Sequence, residues 1–240
     1  MSGITWKTAV QPGLDSLKAA WAPLLVIQLG GALVVASYYM FPFMPPALRG
    51  IGQAKEAGGI FFAMCSGAIA GGVIPEAAKA IVGRMGKPDR AWIGRTLYTC
   101  LCFSIFACAA FVFYGYQTVI FGPSVDPLTV FKKVIFDLFV YVPLVGAPLN
   151  AFLLGFRSVD LKFSRLPELM SDRFFTKRIL PIYAPNLFFW GPMLCCVYAL
   201  PVDLQFVFAQ VCSAAWSLIV TLIAAGHTAE SENPQANCEV

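Results

Sequence analysis

APLLVIQLGGALVVASYYMFP, residues Ala22 to Pro42, contains no charged side chain. A helix that crosses a bilayer needs about 20 mostly apolar residues, because each residue advances the axis by about 1.5 Å and the hydrocarbon is about 30 Å thick. This stretch meets that requirement by itself. It is longer than the apolar region of a secretory signal and lacks a clear small-residue cleavage site, so it is expected to stay in the protein as a first span. The residues before it include Lys7, Lys18 and Asp15 but no arginine, which does not suit a mitochondrial transit peptide.

Five more apolar blocks follow, from about Gly58 to Pro75, Thr96 to Ile120, Pro127 to Phe156, Ile179 to Leu200 and Leu204 to Ala225. Asp126 is placed to cap the fourth block, with Pro127 in its first turn. The 240-residue chain is 58% hydrophobic and 12% charged, with 17 basic side chains and a net charge of +4. Its mean hydropathy is +0.72. Soluble domains run about 45 to 50% apolar and about 25% charged. The balance therefore excludes a soluble globular protein, a disordered chain and a nucleic-acid binder. The expected fold is all-α, a multi-pass transmembrane helix bundle of about six spans. It divides into an N-terminal segment with an extra helix (1–57), a helical core (58–226) and a polar tail expected to be disordered (227–240).

The basic residues are distributed unevenly among the connections. Lys79, Arg84, Lys87, Arg90 and Arg95 follow the second block, and Arg157, Lys162, Arg165, Arg173, Lys177 and Arg178 follow the fourth. Together with Lys7 and Lys18 they outnumber Arg49, Lys55, Lys132 and Lys133 on the other side. By the positive-inside rule both termini face the cytoplasm or a matrix-like compartment. The connection after Arg157 interleaves Leu161, Phe163, Leu166 and Phe174 with its charges, which suits either a segment at the lipid headgroups or a solvated loop.

Within the spans, Gly59, Ala63, Gly67 and Gly71 recur every fourth residue and would flatten one helix face for close packing or leave room for a pore. Lys133 and Asp137 are spaced i, i+4, so an ordinary helix would set them on one face, with Asp137 the only acidic residue inside a span. Pro143 and Pro148 are expected to bend the fourth helix, and Pro185 and Pro192 the fifth, freeing carbonyls that neighbours or water must satisfy. Asn186 and Trp190 lie in that proline-rich fifth block, and Gln210 and Trp216 share a face of the sixth. Interhelical hydrogen bonding and interfacial anchoring are the plain alternatives for these polar and aromatic residues. Seven of the eight cysteines fall in apolar runs without a CxxC spacing and read as small buried hydrophobes. The one histidine, His227, lies outside every block.

From about Cys65 onward the chain resembles the Mpv-seventeen family, which includes the twenty-two-kilodalton peroxisomal membrane protein. The resemblance rests on Ser66 and Gly67 opening a small-residue helix and on Arg95 before the third block. Lys132, Lys133 and Asp137 form KKxxxD, with Pro143 six residues later. Asn186, Trp190, Pro201, Gln210 and Trp216 follow at the family's spacing. The chain departs from the pattern at Leu138, Gln205, Val73 and Ile74, and Gly191 separates Trp190 from Pro192. The resemblance implies four to five spans in the core, weakly selective channel activity, and a mitochondrial inner or peroxisomal membrane. A bacterial inner membrane is the alternative.

The functional expectation is a channel or small-solute pore lined by Lys133, Asp137, Asn186, Trp190, Gln210 and Trp216. The alternative is a non-transporting scaffold that binds lipids or partner proteins. There is no HExxH, no intramembrane histidine and no second intramembrane aspartate, so an enzyme is not expected, and no catalytic, metal or cofactor residues are assigned. The lipid bilayer is the expected partner, with a second copy of the chain and a small solute or ion as further candidates.

Overall fold

The computed structural model describes residues 6–81, 89–156, 161–165, 167 and 180–232. Six helical rods account for nearly all of them. They are α1 (Trp6–Met40), α2 (Met44–Ile81), α3 (Arg90–Phe121), α4 (127–156), α5 (Leu180–Ala199) and α6 (Val202–Glu232). Each rod contains one of the six apolar blocks. The last helix runs through Glu232, past His227 where a disordered tail is expected, and residues 233–240 lie outside the described part.

Trp21–Met40 within α1, together with α2 and α3, are long and apolar enough to cross a membrane, and Asn186–Ala199 and Val202–Leu218 are shorter apolar helices. The bundle is apolar on its outside. Leu29 is 68% exposed, Leu144 71% and Val119 83%, where a protein folded in water would place polar side chains. An apolar surface of this extent suits contact with lipid or with another protein. By helix length and hydropathy the chain is a helical integral membrane protein.

The interior belongs chiefly to α5 and α6, the two shorter apolar helices. Phe189, Met193, Leu194, Val197 and Tyr198 of α5 pack with Leu204, Phe208, Ala209 and Cys212 of α6, and Val134 and Leu138 of α4 join them. Leu24 of α1 enters the same cluster, so the N-terminal helix is part of the bundle core. Gln205 Nε2 donates to the carbonyl of Leu200 at 2.8 Å and closes the tight turn between α5 and α6. Of the in-span cysteines, Cys102 and Cys212 are buried, while Cys65 and Cys195 face outward, an acceptable position where the surroundings are hydrocarbon.

Helix α2 packs along α3 through its small residues. A Cβ at Gly67 would collide with the backbone carbonyl of Phe103, and one at Gly71 with the Phe103 ring. Ala63 is fully buried against Ala107 and Phe206. Gly59, read in the sequence as a fourth member of this stripe, is not a contact residue. It has φ +49 and ψ −128, breaks the helix at the start of the second apolar block, and has nothing within 4 Å of an added Cβ. At the last member of the stripe, Gly71, α2 loosens into a π-helical turn, Ile69–Val73, and resumes as Ile74–Ile81. There Glu76 accepts from Trp92 Nε1 at 3.1 Å and ties the end of α2 to the start of α3.

Candidate functional site

The site is built on α4. Asp126 caps this helix as its sequence position suggests: Oδ1 accepts from the backbone N–H of Leu128 at 3.1 Å and of Thr129 at 3.0 Å. Ser124 Oγ donates to Oδ2 at 2.7 Å. Hydrogen bonds from Ser124 and Thr129 favour the ionised form and hold this exposed carboxyl below its ordinary value of 3.8.

Ten residues on, the helix changes character. Pro127–Phe136 is α-helical, Asp137–Gly146 is π-helical, and Ala147–Phe156 is α-helical again. The π segment begins only at Asp137, whose N–H still bonds to the carbonyl of Lys133, so the two residues keep α-helical spacing and differ in what their side chains meet. Lys133 and Asp137 form no ion pair. Lys133 is fully buried, its Nζ makes no hydrogen bond, and it lies 6.0 Å from the centroid of the Tyr198 ring. Asp137, only 4% exposed, instead accepts from the Tyr198 hydroxyl at 2.6 Å.

The prolines explain other polar contacts. Pro143 has no N–H to give, and in a π-helix its i−5 partner would be the carbonyl of Leu138. That carbonyl accepts from the Tyr183 hydroxyl at 2.9 Å. Pro192 leaves the carbonyl of Phe188 unbonded in the same way, and Gln28 Nε2 of α1 donates to it at 2.9 Å. Helix α5 therefore runs from Leu180 to Ala199 through both Pro185 and Pro192, where the sequence suggests a broken helix. Pro148 lies in the first turn of Ala147–Phe156, directly after the π segment.

Helices α3 to α6 line a partly open cavity of about 180 Å³. Asp137 of α4, Asn186 and Trp190 of α5, and Gln210 and Trp216 of α6 all line it. Five of the six residues singled out for a polar path therefore meet at one place, and Lys133 lies outside it. Asn186 Oδ1 is buried there without a hydrogen-bond partner. Phe189 packs tilted against Trp216 with ring centroids 4.6 Å apart, and Phe113 stacks on Tyr141 at 4.0 Å, which fixes two of the walls.

Sequence reasoning missed the tyrosines. Tyr141 and Tyr183 line the cavity, and Tyr198 holds its carboxylate. A signal was present: Tyr183, Asn186 and Trp190 follow at i, i+3 and i+7, one helical face, and a buried phenol requires a hydrogen-bond partner. Asn150, a further polar residue of the wall, stands alone in the apolar run APLNAFLLGF, residues Ala147 to Phe156. Comparison of the chain with protein-family models, with curated proteins and with solved structures finds no match in any of the three.

Proposed function

We infer that the protein is a pore or carrier for small solutes, in which the cavity among α3 to α6 is part of the conducting path. One observation carries this reading. The polar side chains Asp137, Asn186 and Gln210 come from three different helices and converge on a single cavity inside a bundle with an apolar exterior. A polar group in the hydrocarbon layer is costly, and where such groups gather they mark solute or ion paths. The motif order from Lys132 to Trp216 supports placing the chain as a divergent member of the Mpv-seventeen family. The excess of basic residues in two connections supports termini on the cytoplasmic or matrix-like side.

A second reading, a non-transporting scaffold, is favoured by the contacts in which polar side chains tie helices together. Tyr198 to Asp137, Tyr183 to Leu138 and Gln28 to Phe188 are of this kind. Solute flux in liposomes separates the two. Reconstituted protein that conducts above lipid background, with rate or ion preference altered by Asp137→Asn, supports the pore; flux no greater than that of empty liposomes rejects it.

A further inference from the structure

The cavity is one-sided in charge and holds two acceptor atoms without described donors. Among its described lining residues Asp137 is the one acid, and no lysine, arginine or histidine is present. Asp137 uses one oxygen to accept from Tyr198, and no described donor reaches the other. Asn186 presents a second buried acceptor, Oδ1, that also has no partner. Two acceptors short of donors, one of them a carboxylate, select for a ligand rich in N–H and positive in charge.

The walls add a second selection. Tyr141, Tyr183, Trp190 and Trp216 line the same space, and aromatic faces attract cations electrostatically while accommodating hydrocarbon. The space of about 180 Å³ accommodates a small organic cation.

We propose that this cavity binds a small primary organic ammonium ion, its N–H groups directed to Asp137 and Asn186 and its carbon chain against the tryptophan and tyrosine rings. The assignment names the solute class of the conduction reading and rests on that reading for transport, although binding can be measured without it. Lys133 lies outside the cavity with its Nζ near the ring of Tyr198, the same residue whose hydroxyl holds Asp137. In its protonated form the Lys133 ammonium opposes a bound cation.

The test titrates the purified full-length chain in detergent micelles with n-propylammonium chloride, following intrinsic tryptophan fluorescence at constant ionic strength. Sodium propionate, n-propanol and tetramethylammonium chloride serve as isosteric or charge controls. Saturable binding of propylammonium, tighter than all three controls, is expected. Asp137→Asn should weaken it by about tenfold or more, the loss of one charge-assisted contact, and Lys133→Met should tighten it. Equal response to propanol, preference for propionate, tetramethylammonium binding as tightly as propylammonium, or no saturation each overturns the proposal. The ligand series on the unmodified chain decides the matter even if D137N fails to fold. Liposome flux without saturable ammonium binding rejects the ammonium site and leaves the pore; binding without flux rejects the pore and leaves the site.

Discussion

The Tyr198 hydroxyl donates to the Asp137 carboxylate at 2.6 Å, joining α5 to the first residue of the π segment in α4. Both residues are buried, so water does not replace the bond if it is lost. Leaving a buried acceptor without its donor in such a place costs about 1 to 3 kcal/mol. Tyr198→Phe is therefore expected to lower the unfolding midpoint in detergent. The double variant Tyr198→Phe, Asp137→Leu should lose less than the sum of the two single variants, because the second change removes the group the first leaves unsatisfied. Thermal unfolding followed by circular dichroism measures all four corners of that cycle, and strict additivity would show that the bond has no energetic weight.

The apolar face of α2 supplies a second expectation. Gly67 lies against the backbone carbonyl of Phe103, which cannot swing aside as a side chain can, whereas Gly30 on α1 has nothing within 4 Å. Gly67→Ala is expected to destabilise the bundle by about 1 to 3 kcal/mol through overpacking. Gly30→Ala should be neutral or stabilising by about 1 kcal/mol, since alanine restricts the unfolded chain and suits a helix. Comparable unfolding midpoints for the two variants would contradict the close approach of α2 and α3.

The helices were legible because hydropathy alone sets their length, and their starts carry ordinary chemistry. Asp126 before Pro127 is an N-cap signal that the hydrogen bonds to Leu128 and Thr129 explain. The convergence of Asp137, Asn186 and Gln210 followed from polar residues in apolar spans having to face inward. The pairing within the site was not legible. The Asp137 amide bonds to the Lys133 carbonyl, so their i, i+4 spacing is kept, yet the side-chain partner of Asp137 stands 61 residues away on α5, a neighbour that no local period announces. Gly59 and Gly67 show the same limit. They share one four-residue repeat, yet Gly67 meets α3 and Gly59 is a backbone break, because packing depends on which neighbour approaches.

The capping carboxylate of α4 gives the bundle one assignable pH response. Its hydrogen bonds with Ser124 and Thr129 place the folded Asp126 carboxyl below the ordinary value of 3.8. A depressed folded value contributes stability that is fully present above the ordinary value and is lost as pH falls through the folded one. The unmodified chain should therefore lose stability on acidification below about pH 4 more steeply than D126N, whose amide still caps the helix but does not titrate. Denaturant titrations at neutral and strongly acidic pH measure the difference, and parallel pH profiles would remove Asp126 from the account.

The Gln28 contact to the Phe188 carbonyl tests why α5 tolerates its prolines. In an α-helix that carbonyl would accept from the N–H of residue 192, and Pro192 has none. Without water nearby the carbonyl requires another donor, and Gln28 on α1 supplies it at 2.9 Å. Gln28→Leu is expected to destabilise the unmodified chain by about 1 to 2 kcal/mol, within the cost of an acceptor left unsatisfied on the lipid-facing exterior. In a Pro192→Ala background the helix regains its own donor, so the same Gln28→Leu change should cost markedly less. Unfolding midpoints of the four proteins decide this. An equal cost in both backgrounds would mean that Gln28 serves packing alone and that α5 satisfies the carbonyl by some route other than α1.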